Sequence, residues 1–308
     1  MERSTVKAKS LVFLFLVGLY ALAQGMWTTG GLPLAENVPL QSRRSGPPQR
    51  IVSVNIGSDE VLLSLVPERV FAVSYLAVDP GISNVVEAAQ EIPHKLKLDT
   101  ERILALNPDL VVLGGQTSAD VVGQLEKTGL SVVLLQRYDS IKQIEETILE
   151  LGKAAGEIER AKELVARMEA RLKAIDERTA MVQRPRVISY NASGFTAGKG
   201  TIFDDLVRHA GGRNLSAEIG IKGFKKISLE KLLVMDPEVI VTSAWTPRSP
   251  RFFEEFSAHP ALKEVSAFKS GRVLQLPGKY MLTTSHYIVD GVEAMARLLH
   301  PNLFGDMP

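Results

Sequence analysis

The sequence predicts an α/β fold of two lobes with mostly parallel sheets, joined by one long α-helix, with a ligand cleft between the lobes. Three observations carry this: a motif present twice, strands alternating with helices around each copy, and one long amphipathic helix between the copies. The motif reads Asp99-Thr100-Glu101-Arg102-Ile103-Leu104-Ala105-Leu106-Asn107-Pro108-Asp109-Leu110-Val111-Val112. It returns as Ser228-Leu229-Glu230-Lys231-Leu232-Leu233-Val234-Met235-Asp236-Pro237-Glu238-Val239-Ile240-Val241, at a shift of 230 − 101 = 129 residues. Asp99 and Ser228 are N-cap residues, whose side-chain oxygens accept from the free N–H groups of a first helical turn. Glu101 and Glu230 follow at the second helical position, where the helix dipole favours negative charge. Asn107-Pro108 and Asp236-Pro237 stop each helix, because the residue before proline is pushed out of the α region. A β-branched run then reads as a buried strand. Such a unit repeated half a chain apart implies two lobes of similar build, since a solenoid has a much shorter period.

In chain order, Arg3, Lys7 and Lys9 form a basic start, residues 11–23 are apolar, and Ala21-Leu22-Ala23 is a small-x-small site before Gln24. This pattern predicts a secretory signal peptide over 1–23, cleaved after Ala23. The apolar run falls short of the ~20 residues that span a bilayer. Residues 24–49, with Pro33, Pro39, Pro47, Pro48 and Gly30-Gly31, lack an apolar period and read as a flexible tether. The N-terminal lobe, 50–156, opens with a strand at 51–54, a turn at 55–58 and a short helix through Val61, Leu62 and Leu65. Further strands are expected at 70–73, 110–113 and 131–135, with helices between them, which argues for a Rossmann-like, mostly parallel sheet covered on both faces.

From 140 to about 183 the pattern is purely helical. Residues 157–182 place Ala161, Leu164, Met168, Leu172 and Ile175 on one stripe until Pro185. That helix would be roughly 38 Å long at 1.5 Å per residue, so 157–184 is assigned as the linker between lobes. The C-terminal lobe, 185–308, repeats the order. Strands are expected at 186–190, 239–242 and 273–276, a helix at 201–210 closed by Gly211-Gly212, and an amphipathic helix at 287–299. In open α/β sheets ligands bind outside the carboxyl ends of the strands, so two lobes on one rigid strut define a cleft.

Bulk properties narrow the function. The 308 residues are 45% apolar and 23% charged, enough for two ordinary domains with real cores. A net charge of +1 supplies no large basic field for nucleic acid. The absence of cysteine removes disulfides, thiolate metal sites and cysteine nucleophiles, and with them the lipid-bearing cysteine of a bacterial lipoprotein. An exported chain without a lipid anchor fits a periplasm.

Residues 50–73, the two glutamate-helix-proline-strand copies, the 157–182 helix, 197–214 and 259–277 together resemble periplasmic substrate-binding proteins of ATP-binding-cassette importers. The matching group is the one with a single linker helix, whose members carry ferric siderophores, haem or cobalamin. The resemblance covers nearly all of 50–300 and implies no catalytic cofactor. It implies a monomer that captures a metal chelate, with ferric siderophore first, corrinoid second and haem third, and delivers it to a dimeric inner-membrane permease with its ATPase. It further implies that Glu101 and Glu230 crown their lobes and dock into arginines of that permease. Two like charges about a pseudo-two-fold axis match a two-fold partner, and exposed pairs of this kind set orientation and encounter rate more than affinity.

The same resemblance places an iron-ligating tyrosine of haem-binding relatives near His94, in the expected loop Ile92-Pro93-His94-Lys95, and a second haem contact near Tyr190. Imidazole and phenolate both ligate haem iron, so His94 is a metal ligand only if the cargo is haem. In the second lobe Lys199, Lys222, Lys225, Lys226, Arg248, Arg251 and Lys279 are interleaved with Phe195, Phe224, Trp245 and Tyr280. Cations beside aromatic faces suit a large, anionic, partly apolar chelate. Asn55, Gln116 and Arg137 end strands of the first lobe and are candidates for the facing wall.

Other motifs fail. The stretch 194–201 has three residues between its glycines where a phosphate loop has four, and Gly200 follows its lysine. No G-x-S-x-G elbow and no H-E-x-x-H pair occurs. An enzyme on the same scaffold would need convergent titratable groups, and a free zinc or manganese binder would need converging histidines and carboxylates. The five histidines are scattered.

Overall fold

The computed structural model describes residues 46–191, 193–243, 254–256 and 258–304. The expected export signal, nearly all of the tether, and the candidates Trp245, Arg248 and Arg251 lie outside the described residues.

The N-terminal lobe contains, in order, β1 (Ile51–Ser53), α1 (Ile56–Leu65), β2 (Val70–Ser74), α2 (Val86–Glu91), β3 (His94–Leu96), α3 (Thr100–Ala105), β4 (Leu110–Gly114), α4 (Ala119–Lys127), β5 (Ser131–Leu135) and α5 (Ile141–Ala155). Its five strands are all parallel in the order β3-β2-β1-β4-β5. Strand direction explains the sequence pattern: Leu110 and Val112 of β4 enter the core under α1 and α5, while Val111 and Leu113 enter the opposite core with Ile103 of α3 and Leu125 of α4. A period of two with both faces buried is the signature of a covered parallel sheet.

The expected strands at 110–113 and 131–135 appear with at most one added residue. One expectation is corrected: His94 lies in a strand, not a loop, because 94–96 extends the sheet edge beside Ala72, Val73 and Ser74 of β2. Three residues without a β-branched side chain carried no strand signal.

The linker helix α6 runs Ile158–Thr179 and buries Ala161, Leu164, Val165, Met168, Leu172 and Ile175. It folds back on α5, where a Cβ at Gly152 would collide with the Ala161 methyl. The C-terminal lobe continues with β6 (Arg186–Ser189), β7 (Phe195–Ala197), α7 (Ile202–His209), β8 (Arg213–Asn214), α8 (Leu215–Glu218), β9 (Phe224–Lys226), α9 (Leu229–Met235), β10 (Val239–Ser243), α10 (Ser266–Lys269), β11 (Val273–Leu276), α11 (Gly278–Met281), α12 (Ile288–Leu299) and α13 (Pro301–Phe304). Its main sheet is parallel in the order β11-β10-β6-β8, and β7 pairs antiparallel with β9 as a separate ribbon. The ribbon was not expected from the sequence. One continuous core spans both lobes, from Ile51 and Leu110 through Leu164, Met168 and Leu172 of α6 to Phe203, Leu206 and Ile288. Among the described residues no helix is long and apolar enough to cross a membrane.

Candidate interlobe cleft

The strand order reverses at β1/β4 in one lobe and at β6/β10 in the other. Crevices outside the carboxyl ends of strands at such reversals are where open α/β sheets take ligands. Segments that follow the carboxyl ends of the strands in the two lobes touch in at least two places. The backbone N–H of Ile141, opening α5, donates to Asp205 Oδ2 of α7 at 2.8 Å. At Gly57, in the first turn of α1, a Cβ would collide with Thr284 Oγ1 of the other lobe.

In the N-terminal wall, Asn55 is the N-cap of α1, its Oδ1 accepting from Ser58 N at 3.1 Å. Gln116, exposed beyond β4, hydrogen-bonds the Tyr138 phenol, which burial pushes above its ordinary pKa. Arg137 is exposed and lies 3.9 Å from Glu146. His94 is half-buried with its ring 5.1 Å from Phe71, which in turn lies 3.7 Å under the Arg50 guanidinium. Arg50 directly precedes β1, so this stack sits toward the amino ends of the strands, away from the reversal point where Asn55 lies.

In the C-terminal wall, Tyr190 follows β6, is 8% exposed and stacks on Phe256 at 5.3 Å. Burial first, and the Glu230 charge second, push its phenol up, so it stays protonated at neutral pH. Half-buried Phe195 pairs across the ribbon with exposed Lys226, and Ala197 with half-buried Phe224. An exposed Lys199 is tied by its backbone to Ile221 and Gly223. Beside the ribbon, Ile219, Ile221, Lys225, Lys226, Ile227, Ser228 and Lys231 line an open pocket of about 390 Å³. The structure therefore brings Phe195, Phe224 and Lys226 together on one ribbon, whereas His94 and Tyr190 lie on separate lobes within separate packed clusters.

Glu101 and Glu230 are both exposed, each at the second position of its helix. Asp99 caps α3 by accepting from Arg102 N at 3.1 Å, and Ser228 caps α9 by accepting from Lys231 N at 3.2 Å. The Glu230 carboxyl is held below its ordinary pKa by the Ser228 hydroxyl and its own backbone N–H. Each helix leads into a parallel strand, so each glutamate lies at the carboxyl edge of its sheet.

Sequence reasoning missed the acids Asp59 and Glu60, both fully buried in α1. Nothing marked them, since Ser58-Asp59-Glu60 reads as an ordinary acidic first turn. Asp59 accepts from Ser74 N at 3.0 Å, while its other oxygen has no partner among the described atoms. Burial pushes this carboxyl up to about 7. Among the described residues no three acidic or histidine side chains converge as a metal site.

A sequence model of the family described as periplasmic binding protein matches residues 51–280. An uncharacterised ABC-transporter substrate-binding lipoprotein of Bacillus subtilis is 23% identical over 267 residues, covering 83% of this chain and 82% of that protein. A cobalamin-binding protein of Halobacterium salinarum is 25% identical over 206 residues, covering 66% of this chain and 56% of that protein. The solved structure of a periplasmic haem-binding protein from Pseudomonas aeruginosa superposes with a TM-score of 0.69 at 25% identity, covering 83% of this chain and 94% of the other.

Proposed function

The chain belongs to the periplasmic binding protein family, and on that premise we propose that it is the solute-binding component of an ATP-binding-cassette importer for an organic metal chelate. The observation that carries this reading is the pair of parallel sheets whose carboxyl-end loops touch across the lobes, together with the Phe195, Phe224 and Lys226 ribbon of the second lobe. Aromatic faces cover an organic body and lysines meet its anionic groups. A corrinoid is the first cargo, supported by the cobalamin-binding relative. A ferric siderophore is the second reading, favoured by Lys199, Lys222, Lys225 and Lys226 around the ribbon, because siderophore chelates are commonly anionic while the corrin body carries amides. Haem ranks third: Tyr190 is nearly buried and stacked on Phe256, and His94 packs on Phe71 in the other lobe.

Cargo passes to a dimeric permease and its ATPase through Glu101 and Glu230. Export uses the basic and apolar segment 1–23, with cleavage after Ala23. The test is to incubate purified protein with aquocobalamin, a ferric catecholate or haem, and to read the visible spectrum of the protein peak after gel filtration. Co-elution of the corrinoid supports the first reading and co-elution of the ferric complex alone supports the second. Co-elution of none of the three overturns the chelate reading.

A further inference from the structure

The α1 carboxylate of Glu60 is 0% exposed. Its Oε1 accepts from Asn84 N and Asn84 Nδ2, both at 2.9 Å. Its Oε2 accepts from two hydroxyls of the other lobe, Thr283 Oγ1 at 2.7 Å and Ser285 Oγ at 2.5 Å. Asn84 Nδ2 also reaches the Lys279 carbonyl of the second lobe at 3.0 Å. The same helix meets the same segment twice more: Gly57 abuts Thr284, and Ser64 Oγ lies 3.2 Å from His286 Nε2. The segment 279–287 leaves the carboxyl end of β11 by way of α11 and leads into α12. It therefore lies at the carboxyl ends of β1 and β2 on one side and of β11 on the other, beneath the proposed cleft.

We propose that Glu60 is a positioning residue that pins the two lobes at one spacing, through Thr283 and Ser285, and so sets the width of the ligand cleft. The carboxylate divides its donors, with Asn84 from its own lobe on one oxygen and two hydroxyls from the other lobe on the second. A carboxylate removed from water is destabilising unless its lone pairs are filled, and burial pushes the Glu60 pKa up against the four donors that lower it. Opening the lobes strips Oε2 of both hydroxyls at once, whereas the apolar contacts along α6 slide without such a loss. The pin thus opposes lobe separation more steeply than the linker helix alone. It complements the Asp205 contact to α5, which ties the lobes through a different pair of helices.

This inference rests on the two-lobed reading but requires no cargo, so its failure leaves the transport proposal standing. Because the chain has no cysteine, spin labels at Glu126→Cys and Lys263→Cys, both exposed and on opposite lobes, report one interlobe distance. In Glu60→Gln an amide replaces one oxygen that faces two donors. The distance distribution is expected to broaden and its mean to lengthen relative to the labelled parent. The double variant Thr283→Val with Ser285→Ala leaves Glu60 in place and is expected to give the same shift; it decides the matter if Glu60→Gln does not fold. A parental distribution in the folded double variant overturns the proposal.

Discussion

Asn107 and Asp236, 129 residues apart, hold the same left-handed backbone, with φ of 46° and 41°. They are the two non-glycine residues with positive φ among the described residues, and each precedes the proline that ends its copy of the repeat. Proline disfavours the α region in the residue before it, and asparagine and aspartate tolerate the left-handed region better than other side chains. The duplication therefore preserved a backbone conformation as well as a pattern.

The twins differ in their supports, which gives a first expectation. Asp236 also accepts from Ser266 N at 2.7 Å and Ser266 Oγ at 2.8 Å, joining α9 to α10. Asn107→Ala loses about 1 kcal/mol through backbone strain. Asp236→Ala loses that and two charge-assisted bonds, about 2 to 4 kcal/mol in all. Asn107→Gly is neutral or slightly stabilising. Urea denaturation of the three variants measures the order; equal losses at the two alanine sites would refute the argument.

Glu101→Ala combined with Glu230→Ala removes both exposed crown charges without touching the ribbon or the core. Ligand affinity by equilibrium dialysis is expected to be unchanged, while uptake in cells carrying the cognate permease is lost. Single variants are expected to show partial loss, since exposed ion pairs each contribute only ~0.2 to 1 kcal/mol. Normal uptake in the double variant removes the docking role.

The pH dependence follows from Asp59 and His286. Asp59, raised from an ordinary 3.8 to about 7, favours the folded state in its protonated form. Its contribution is full below about 4 and is lost as pH rises through about 7. Burial, with the Arg167 and Arg171 charges, drives His286 from 6.5 down to about 4, so its protonation opposes folding as pH falls below about 6.5. The two slopes oppose each other between about pH 4 and 6.5. Asp59→Asn keeps an acceptor for Ser74 N and removes the ionisable group. That variant is expected to be more stable than the parent at pH 8, by on the order of 1.4 kcal/mol for each pH unit of relieved displacement. It should also lose stability more steeply than the parent from pH 6.5 to 4. Melting temperatures at pH 4, 6 and 8 test this, and an unchanged pH profile would sink it.

Asp205 offers a carboxylate from one lobe to the first N–H of a helix in the other. Asp205→Ala is expected to lose about 1 kcal/mol, the scale of a missing helix cap. Asp205→Asn, which keeps the acceptor, is expected to recover most of it in thermal unfolding. Equal losses for both would assign the effect to the Arg208 pair at 2.8 Å and away from α5.

The periodicity at 110–113, the stripe along 157–182 and the twin caps at Asp99 and Ser228 were legible in the chain, because each is a local rule: alternate residues face opposite sides of a sheet, every third or fourth shares a helix face, and a cap needs only its own first turn. From these the two-lobed plan follows, while the placement of Glu101 and Glu230 on top of their lobes was what the family resemblance implied. Three-residue strands such as β3 and the β7/β9 ribbon were not legible, since their pairing partners supply the structure that their own residues do not announce. Neither was the burial of Asp59 and Glu60. An acidic first turn faces water on an isolated helix; here Ser74 of β2 takes the Asp59 carboxyl, and a hydroxyl-bearing loop more than 200 residues away in the chain covers Glu60. Local order is set by neighbours in the chain and can be read there, whereas the charge state and the partner of a buried side chain depend on which distant surface closes over it, and only the folded molecule decides that.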